Sequence, residues 1–164
     1  MTLSGCVLHA TPPIFDDSEA VLVLGKGPVT LAVFDREGGA WLPNDDPLVT
    51  AFAEGNHYLV PDPATPQNMT TADRFALIPL DASHYVIQAT FKDGADYAIA
   101  TWDGGELLVS NLDCDTLKTN PATNLLVQFQ DDACSLAPSN RLAQDLFAIL
   151  ARAAPEPTLR LVVQ

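Results

Sequence analysis

The stretch HYVIQATFKDGADYAIATWDGGELLVS, from His84 to Ser110, decides how the rest of the chain is read. Its segments His84–Phe91, Asp96–Trp102 and Glu106–Ser110 are rich in β-branched, aromatic and other apolar side chains, which fit a pleated, half-buried surface. Two Asp-Gly steps, Asp93-Gly94 and Asp103-Gly104, separate them. Asp-Gly between apolar runs is a strong hairpin signal, because glycine takes positive φ without steric cost. Two hairpins that share a strand predict an antiparallel meander.

The same pattern continues on both sides. Phe75–Leu80 is a predicted strand that turns at Asp81-Ala82-Ser83, and Asn124–Gln130 is another. Nearer the N-terminus, the apolar run Ala20–Leu24 leads into the turn Gly25-Lys26-Gly27-Pro28, and Val29–Phe34 reads as a strand. Ala40–Leu42 starts a short return strand, Pro43–Pro47 reads as a loop, and Pro47–Ala53 and His57–Val60 are two further strands. Near the C-terminus the period changes from two to 3.6. Leu142, Leu146, Ile149, Leu150 and Ala153 fall on one helical stripe with Phe147 at its edge. Ser139 can cap this helix, Arg152 suits its last turn and Pro155 ends it. Thr158–Val163 is a final strand. The predicted fold is therefore α+β, mostly β: antiparallel meander sheet or sheets covered by one amphipathic helix near the C-terminus.

The segment PDPATPQNMTTAD, Pro61 to Asp73, holds three prolines and no periodicity, so it reads as a surface loop or linker. The expected organisation is an N-terminal tether over 1–19 and a globular domain over 20–164. That domain is either single or divided into lobes 20–60 and 74–164 joined by the Pro-rich loop 61–73. Val29-x-x-Ala32-x-Phe34 recurs as Val86-x-x-Ala89-x-Phe91, but other similarities do not share its offset, so no tandem repeat follows.

A chain of 164 residues with 48% hydrophobic and 18% charged side chains can bury a core of its own, the opposite of a disordered composition. The net charge of −13 comes from 21 acids against 8 bases. The bases are scattered singly, so no patch exists to hold nucleic-acid phosphates or anionic headgroups. The acidic excess favours solubility and can steer the protein to a basic partner. No apolar run approaches the roughly 18 residues that a membrane-spanning helix needs.

There are three cysteines, Cys6, Cys114 and Cys134. In an exported protein an odd count leaves one over. Cys114 and Cys134 sit in similar settings at element ends, and a disulfide between them would close a loop of about 20 residues and contribute on the order of 3 kcal/mol. The remaining cysteine ends Leu3-Ser4-Gly5-Cys6, which resembles the lipobox of small bacterial envelope lipoproteins. The resemblance implies cleavage before Cys6, diacylation of Cys6 as the mature N-terminus, and a place on the periplasmic side of the envelope. Membrane contact would then run only through the lipid anchor. Pro12-Pro13 is similar to the tether that such proteins carry. The alternative is a cytoplasmic protein with reduced thiols, Cys6 in a short β-segment and Cys114 and Cys134 packed as small core residues.

Motifs for chemistry are sparse. There is no Gly-x-Ser-x-Gly elbow. Ser83 and His84 are adjacent, and on a strand they would point to opposite faces. Asp113-x-Asp115 can face one way on an extended segment and is a candidate for a hard cation or another ligand. No Cys or His pair has zinc spacing, so no metal and no cofactor is expected. Trp41 and Trp102 each adjoin a Gly-rich turn and are candidates to line one pocket. The reading that follows has no catalytic residue. It is a non-enzymatic envelope lipoprotein acting as a binding or interaction module for an unknown protein partner, and its acidic face, the candidate partner surface, suits a basic one. The alternatives are an inhibitor or immunity-type protein for a basic partner, and a cytosolic ligand-binding domain or enzyme without a recognisable motif. Mass spectrometry of the protein expressed from its native upstream DNA tests the lipobox reading. A diacylated N-terminal Cys6 is expected, and a mature chain still beginning with unmodified Met1 contradicts it.

Overall fold

The computed structural model describes residues 7–123, 125–136 and 140–164. Its strands are β1 (Leu8–Ala10), β2 (Val29–Glu37), β3 (Ala40–Glu54), β4 (His57–Val60), β5 (Asp73–Pro79), β6 (His84–Thr90), β7 (Ala95–Asp103), β8 (Glu106–Asn111), β9 (Val127–Gln130), β10 (Ala133–Leu136) and β11 (Leu159–Val163). Two α-helices accompany them, the short α1 (Cys114–Lys118) and the long α2 (Asn140–Arg152). The fold is mostly β, its sheet is largely antiparallel, and its long helix lies near the C-terminus, as the sequence pattern predicts.

The meander goes further than a sheet. Strands β2 to β8 pair in chain order, β6 also pairs with β7, and β11 lies between β8 and β2, which closes an eight-stranded barrel. β11 pairs antiparallel with both neighbours, Leu161 opposite Val33 on one side and Leu107 on the other. Closure removes the edges that an open sheet would expose. Beyond Asn111 the chain makes an excursion through α1, β9, β10 and α2 before returning as β11. There β1 joins the start of β7, β10 joins β1 in parallel, and β9 completes the extension.

Several local readings differ from the pattern for physical reasons. Ala40 to Glu54 runs as one long strand, and the loop expected at Pro43–Pro47 is a wide bulge in it: Phe34 faces Pro43 and Ala32 faces Leu48, so residues 44–47 have no partner on β2. β4 pairs only with Phe52–Glu54 of this strand, and Pro47 in the bulge has no partner on β2 either, so its missing N–H breaks no ladder bond. The run Ala20–Leu24 forms no strand. It is a strap across one barrel end, where Leu22, Val23 and Leu24 pack against the interior cluster. The Val21 amide donates to Leu77 O at 2.9 Å. The Tyr58 hydroxyl accepts from the Leu24 amide and donates to Gly25 O, each at 3.0 Å. Within the expected tether, residues 8–10 form β1 and Asp16 caps a short 3₁₀ turn. β2 to β4, from 20–60, and β5 to β8 with β11, from the rest of the chain, form two contiguous arcs of one barrel wall, and the Pro-rich segment between β4 and β5 lies at its rim.

Side chains of β5, β6 and β7 are buried on both faces. Leu77, Tyr85, Ala98 and Ala100 point into the barrel, whereas Ala76, Ile78, Val86, Tyr97 and Ile99 face an outer core under α2. The helix turns a different face inward than its large aliphatic residues suggest. Ala143, Leu146, Phe147, Leu150 and Ala151 are buried, while Leu142 and Ile149 are 49% and 45% exposed, and Ala153 is exposed. Small residues at 143 and 151 let the helix approach closely, and Phe147 then becomes the central residue, 5.4 Å from the Tyr97 ring and 5.9 Å from Phe15. The predicted cap Ser139 lies outside the described residues.

A buried polar clamp fastens the N-terminal segment to this outer face. Gln88 donates through Nε2 to Phe15 O at 2.9 Å, and its Oε1 accepts from the Phe15 amide at 3.0 Å and from the Tyr97 hydroxyl at 2.9 Å. The Tyr97 hydroxyl in turn accepts from the Ile14 amide at 2.8 Å. Burial pushes the Tyr97 hydroxyl up to about 12, so it remains a donor. Such a network is favourable because each buried polar group finds a partner.

Gly94 follows a different rule from the one the Asp-Gly step suggests. A Cβ there would lie 2.6 Å from Ala10 O, 2.7 Å from His9 Cε1 and 2.8 Å from Thr11 Oγ1. The position is glycine because β1 crosses against it, whereas Gly104 does take positive φ, at 57°. Gly94→Ala should therefore cost about 1–3 kcal/mol of stability in urea unfolding, as overpacking does. An unchanged midpoint would contradict the close seating of β1 on this turn.

Candidate functional site

The alternation of eight closed strands creates the site. Every barrel strand sends at least one apolar side chain into a shared cavity of about 280 Å³: Leu31 from β2, Val49 from β3, Val60 from β4, Phe75 from β5, Ile87 and Ala89 from β6, Ala98 from β7, Val109 from β8, and Leu159 and Leu161 from β11. Barrels of this strand number have an interior just wide enough to be filled by side chains or to hold one small ligand. Here Ala89 and Ala98 face each other's neighbourhood on adjacent strands, in register as Ala89 opposite Asp96 and Ile87 opposite Ala98. Their short side chains leave the centre open.

One end of the cavity is sealed. Tyr58, Leu77 and Leu107 are fully buried there, and the strap residues Leu22–Leu24 cover them. Burial raises the Tyr58 hydroxyl above its ordinary value, so it stays protonated while it donates to Gly25 O. The other end carries polar groups. Asp73 starts β5 and Asp96 lies near the start of β7, and both line the cavity beside Thr90 and Phe91. Asp96 Oδ1 is 3.3 Å from His9 Nδ1, and His9 stacks on Phe91 with ring centroids 5.3 Å apart. Arg74 also borders the cavity. Its guanidinium is held by Asp17 Oδ2 at 2.5 Å and His57 Nδ1 at 3.2 Å.

A vestibule of about 320 Å³ adjoins this open end and shares Val49, Val60 and Asp73 with the cavity. Asn44 and Asp46 from β3 line one side, and Pro61, Asp62, Pro63 and Thr71 line the other. The Pro-rich segment is thus a rim of the mouth. Asn44 is oriented by donating to Asp35 Oδ2 at 2.6 Å.

The residues singled out from sequence do not converge here. Trp41 lies at the start of β3, next to the β2–β3 turn, with the Arg36 guanidinium 5.6 Å from its ring. Trp102 lies near the end of β7, opposite Leu107, and packs against the interior cluster at the sealed end. The two tryptophans belong to opposite barrel ends and line no common pocket. Asp113 caps α1, accepting from the Thr116 amide at 2.8 Å and the Thr116 hydroxyl at 2.6 Å. Burial pushes its carboxyl up, but the two Thr116 bonds prevail and hold it below its usual range. Asp115 points instead toward Lys118, 3.6 Å away. Among the described residues no group of three or more His, Cys, Asp or Glu side chains is arranged to hold a metal ion.

The sulfurs of Cys114 and Cys134 lie at bonded distance, 2.08 Å, with Cα atoms 5.5 Å apart. The link ties α1 to β10 within the excursion between β8 and β11. Cys6 lies outside the described residues.

Ser83 and His84 lie on one side of the chain rather than on the opposite strand faces expected for them. Ser83 belongs to the turn and only His84 to β6, so strand alternation does not separate them. Ser83 Oγ is 3.3 Å from His84 Nδ1, and both Asp81 carboxylate oxygens are 2.9 Å from the same nitrogen. A nucleophile–base–acid relay needs the serine and the carboxylate on opposite ring nitrogens. Here they share one, and the group is a turn lock. The Ser83 amide and then His84 hold the Asp81 carboxyl down to about 2.

The sequence pattern missed the cavity because it arises only on closure, when side chains from eight strands share one interior. The available signal was the run of alanines at 89, 98 and 100 among large apolar residues. Comparison with protein-family models, curated proteins and solved structures returns no match.

Proposed function

We propose that the protein is a non-enzymatic binding protein of the bacterial envelope, anchored through Cys6, that holds a small and mainly apolar molecule inside its barrel. The observation that carries the ligand reading is the cavity lined from all eight strands, sealed at one end and open at the other. A concave, apolar space with few polar groups at its mouth is the usual form of a small-molecule site, and about 280 Å³ is at the small end of the range for such sites. The bonded pair Cys114–Cys134 supports an oxidising compartment, where structural disulfides persist. The lipobox-like Leu3-Ser4-Gly5-Cys6 supports the anchor.

Trp102 supplies a reporter at the sealed end. In a Trp41→Phe background, 1-octanol should change Trp102 emission saturably. Filling the lumen with Ala98→Phe, or with the milder Ala98→Leu, should weaken that response about tenfold or more, equivalent to about 1.4 kcal/mol. Leu142→Ala on the exposed helix face should leave it unchanged. A folded Ala98 variant that responds like its parent would contradict binding in the lumen.

A further inference from the structure

We propose that the ligand of the barrel is a cationic amphiphile, with its apolar body in the lumen and an ammonium group at Asp73 and Asp96. The inference rests on the lumen being the binding site and adds the chemical class of the occupant. It follows from where the charges lie. The cavity wall is aliphatic and aromatic, and its acidic side chains, Asp73 and Asp96, both lie toward the open end. The adjoining vestibule adds Asp46 and Asp62. An apolar molecule seated in the lumen would therefore present its polar end to carboxylates.

Acids outnumber bases among the residues that line the two spaces, Asp46, Asp62, Asp73 and Asp96 against Arg74. Arg74 is held by Asp17 and the His57 ring. Lys92 is exposed on the β6–β7 turn beside Asp93. His9 approaches Asp96 and also lies 2.7 Å from Thr11 Oγ1 through its other nitrogen. Phe91, half exposed and stacked on His9, offers a ring at the same mouth, and aromatic faces attract ammonium groups. The chain as a whole carries −13, so the long-range field also draws a cation and repels an anion. An anionic amphiphile would set its head against these carboxylates, and a neutral one would gain nothing from them.

Three probes of equal chain length separate these cases: n-octylammonium, 1-octanol and octanoate, titrated calorimetrically into the full chain at near-neutral pH and low salt. Octylammonium should bind about tenfold tighter than octanol, since partly exposed ion pairs each contribute modestly. Octanoate should bind weakest, and the amine's advantage should shrink as salt is added. The double variant Asp73→Asn/Asp96→Asn should bind amine and alcohol about equally while keeping the alcohol's affinity. Should that variant fail to fold, the wild-type ranking and its salt dependence still decide. Octanol binding as tightly as octylammonium, or octanoate binding tighter than both, would overturn the cationic assignment and leave the lumen as the site. No binding by any of the three would overturn the lumen reading together with it.

Discussion

The interior of this protein depends on β11. Its five residues are the last stave of the barrel, and they pair on both sides at once, with β2 and with β8. Leu159 and Leu161 from this strand form part of the cavity wall. Without β11 the sheet would keep its meander but expose two edges, and the apolar lumen would become an open trough. Polar contacts at its start fix where it enters. The Thr158 amide donates to Val109 O at 2.8 Å, the Arg36 amide donates to Thr158 O at 3.0 Å, and the Ser110 hydroxyl donates to Pro155 O at 2.9 Å. Further along, Arg160 meets Glu106 at 2.6 Å.

Between β8 and β11 the chain must leave the barrel and come back. Long excursions carry a closure cost that grows slowly with length. Here the excursion is given structure of its own. The Cys114–Cys134 link shortens it, β10 and β9 extend the sheet through β1, and α2 packs Phe147 against Tyr97. The central strands β5 to β7 consequently support two cores with one backbone, the lumen within and the helix-covered layer outside. Gln88 and Tyr97 add the N-terminal segment to that outer layer through buried hydrogen bonds. The same segment continues as the strap that seals the barrel, so the outer clamp and the inner floor are parts of one stretch of chain.

Much of the strand pattern was legible in the sequence because hairpin chemistry is local. His84 to Ser110 declared two turns and three strands, and these became β6, β7 and β8. The short strands β1 and β10, of three and four residues, left no periodic trace. The face that α2 buries was not legible from its largest side chains, because close approach favoured Ala143 and Ala151. Closure was not legible either, since it depends on a pairing between residues 31–35 and 159–163 that no local signal encodes. The same holds for the candidate site. Trp41 and Trp102 drew attention as large aromatics, yet the cavity is set by the absence of bulk at Ala89 and Ala98. Asp73 sits at the end of a segment that reads only as a loop, and its place at the mouth emerges from the barrel.

The central claim is that the closed barrel interior receives a ligand. Methyl-resolved NMR of the isotope-labelled chain, recorded during titration with a short-chain amphiphile, tests it most directly. Shifts should concentrate on Ile87, Val109 and Leu161, with Val86 and Leu146 in the outer core little changed. Shifts confined to the exposed Leu142 and Ile149, or spread evenly over both cores, would contradict it.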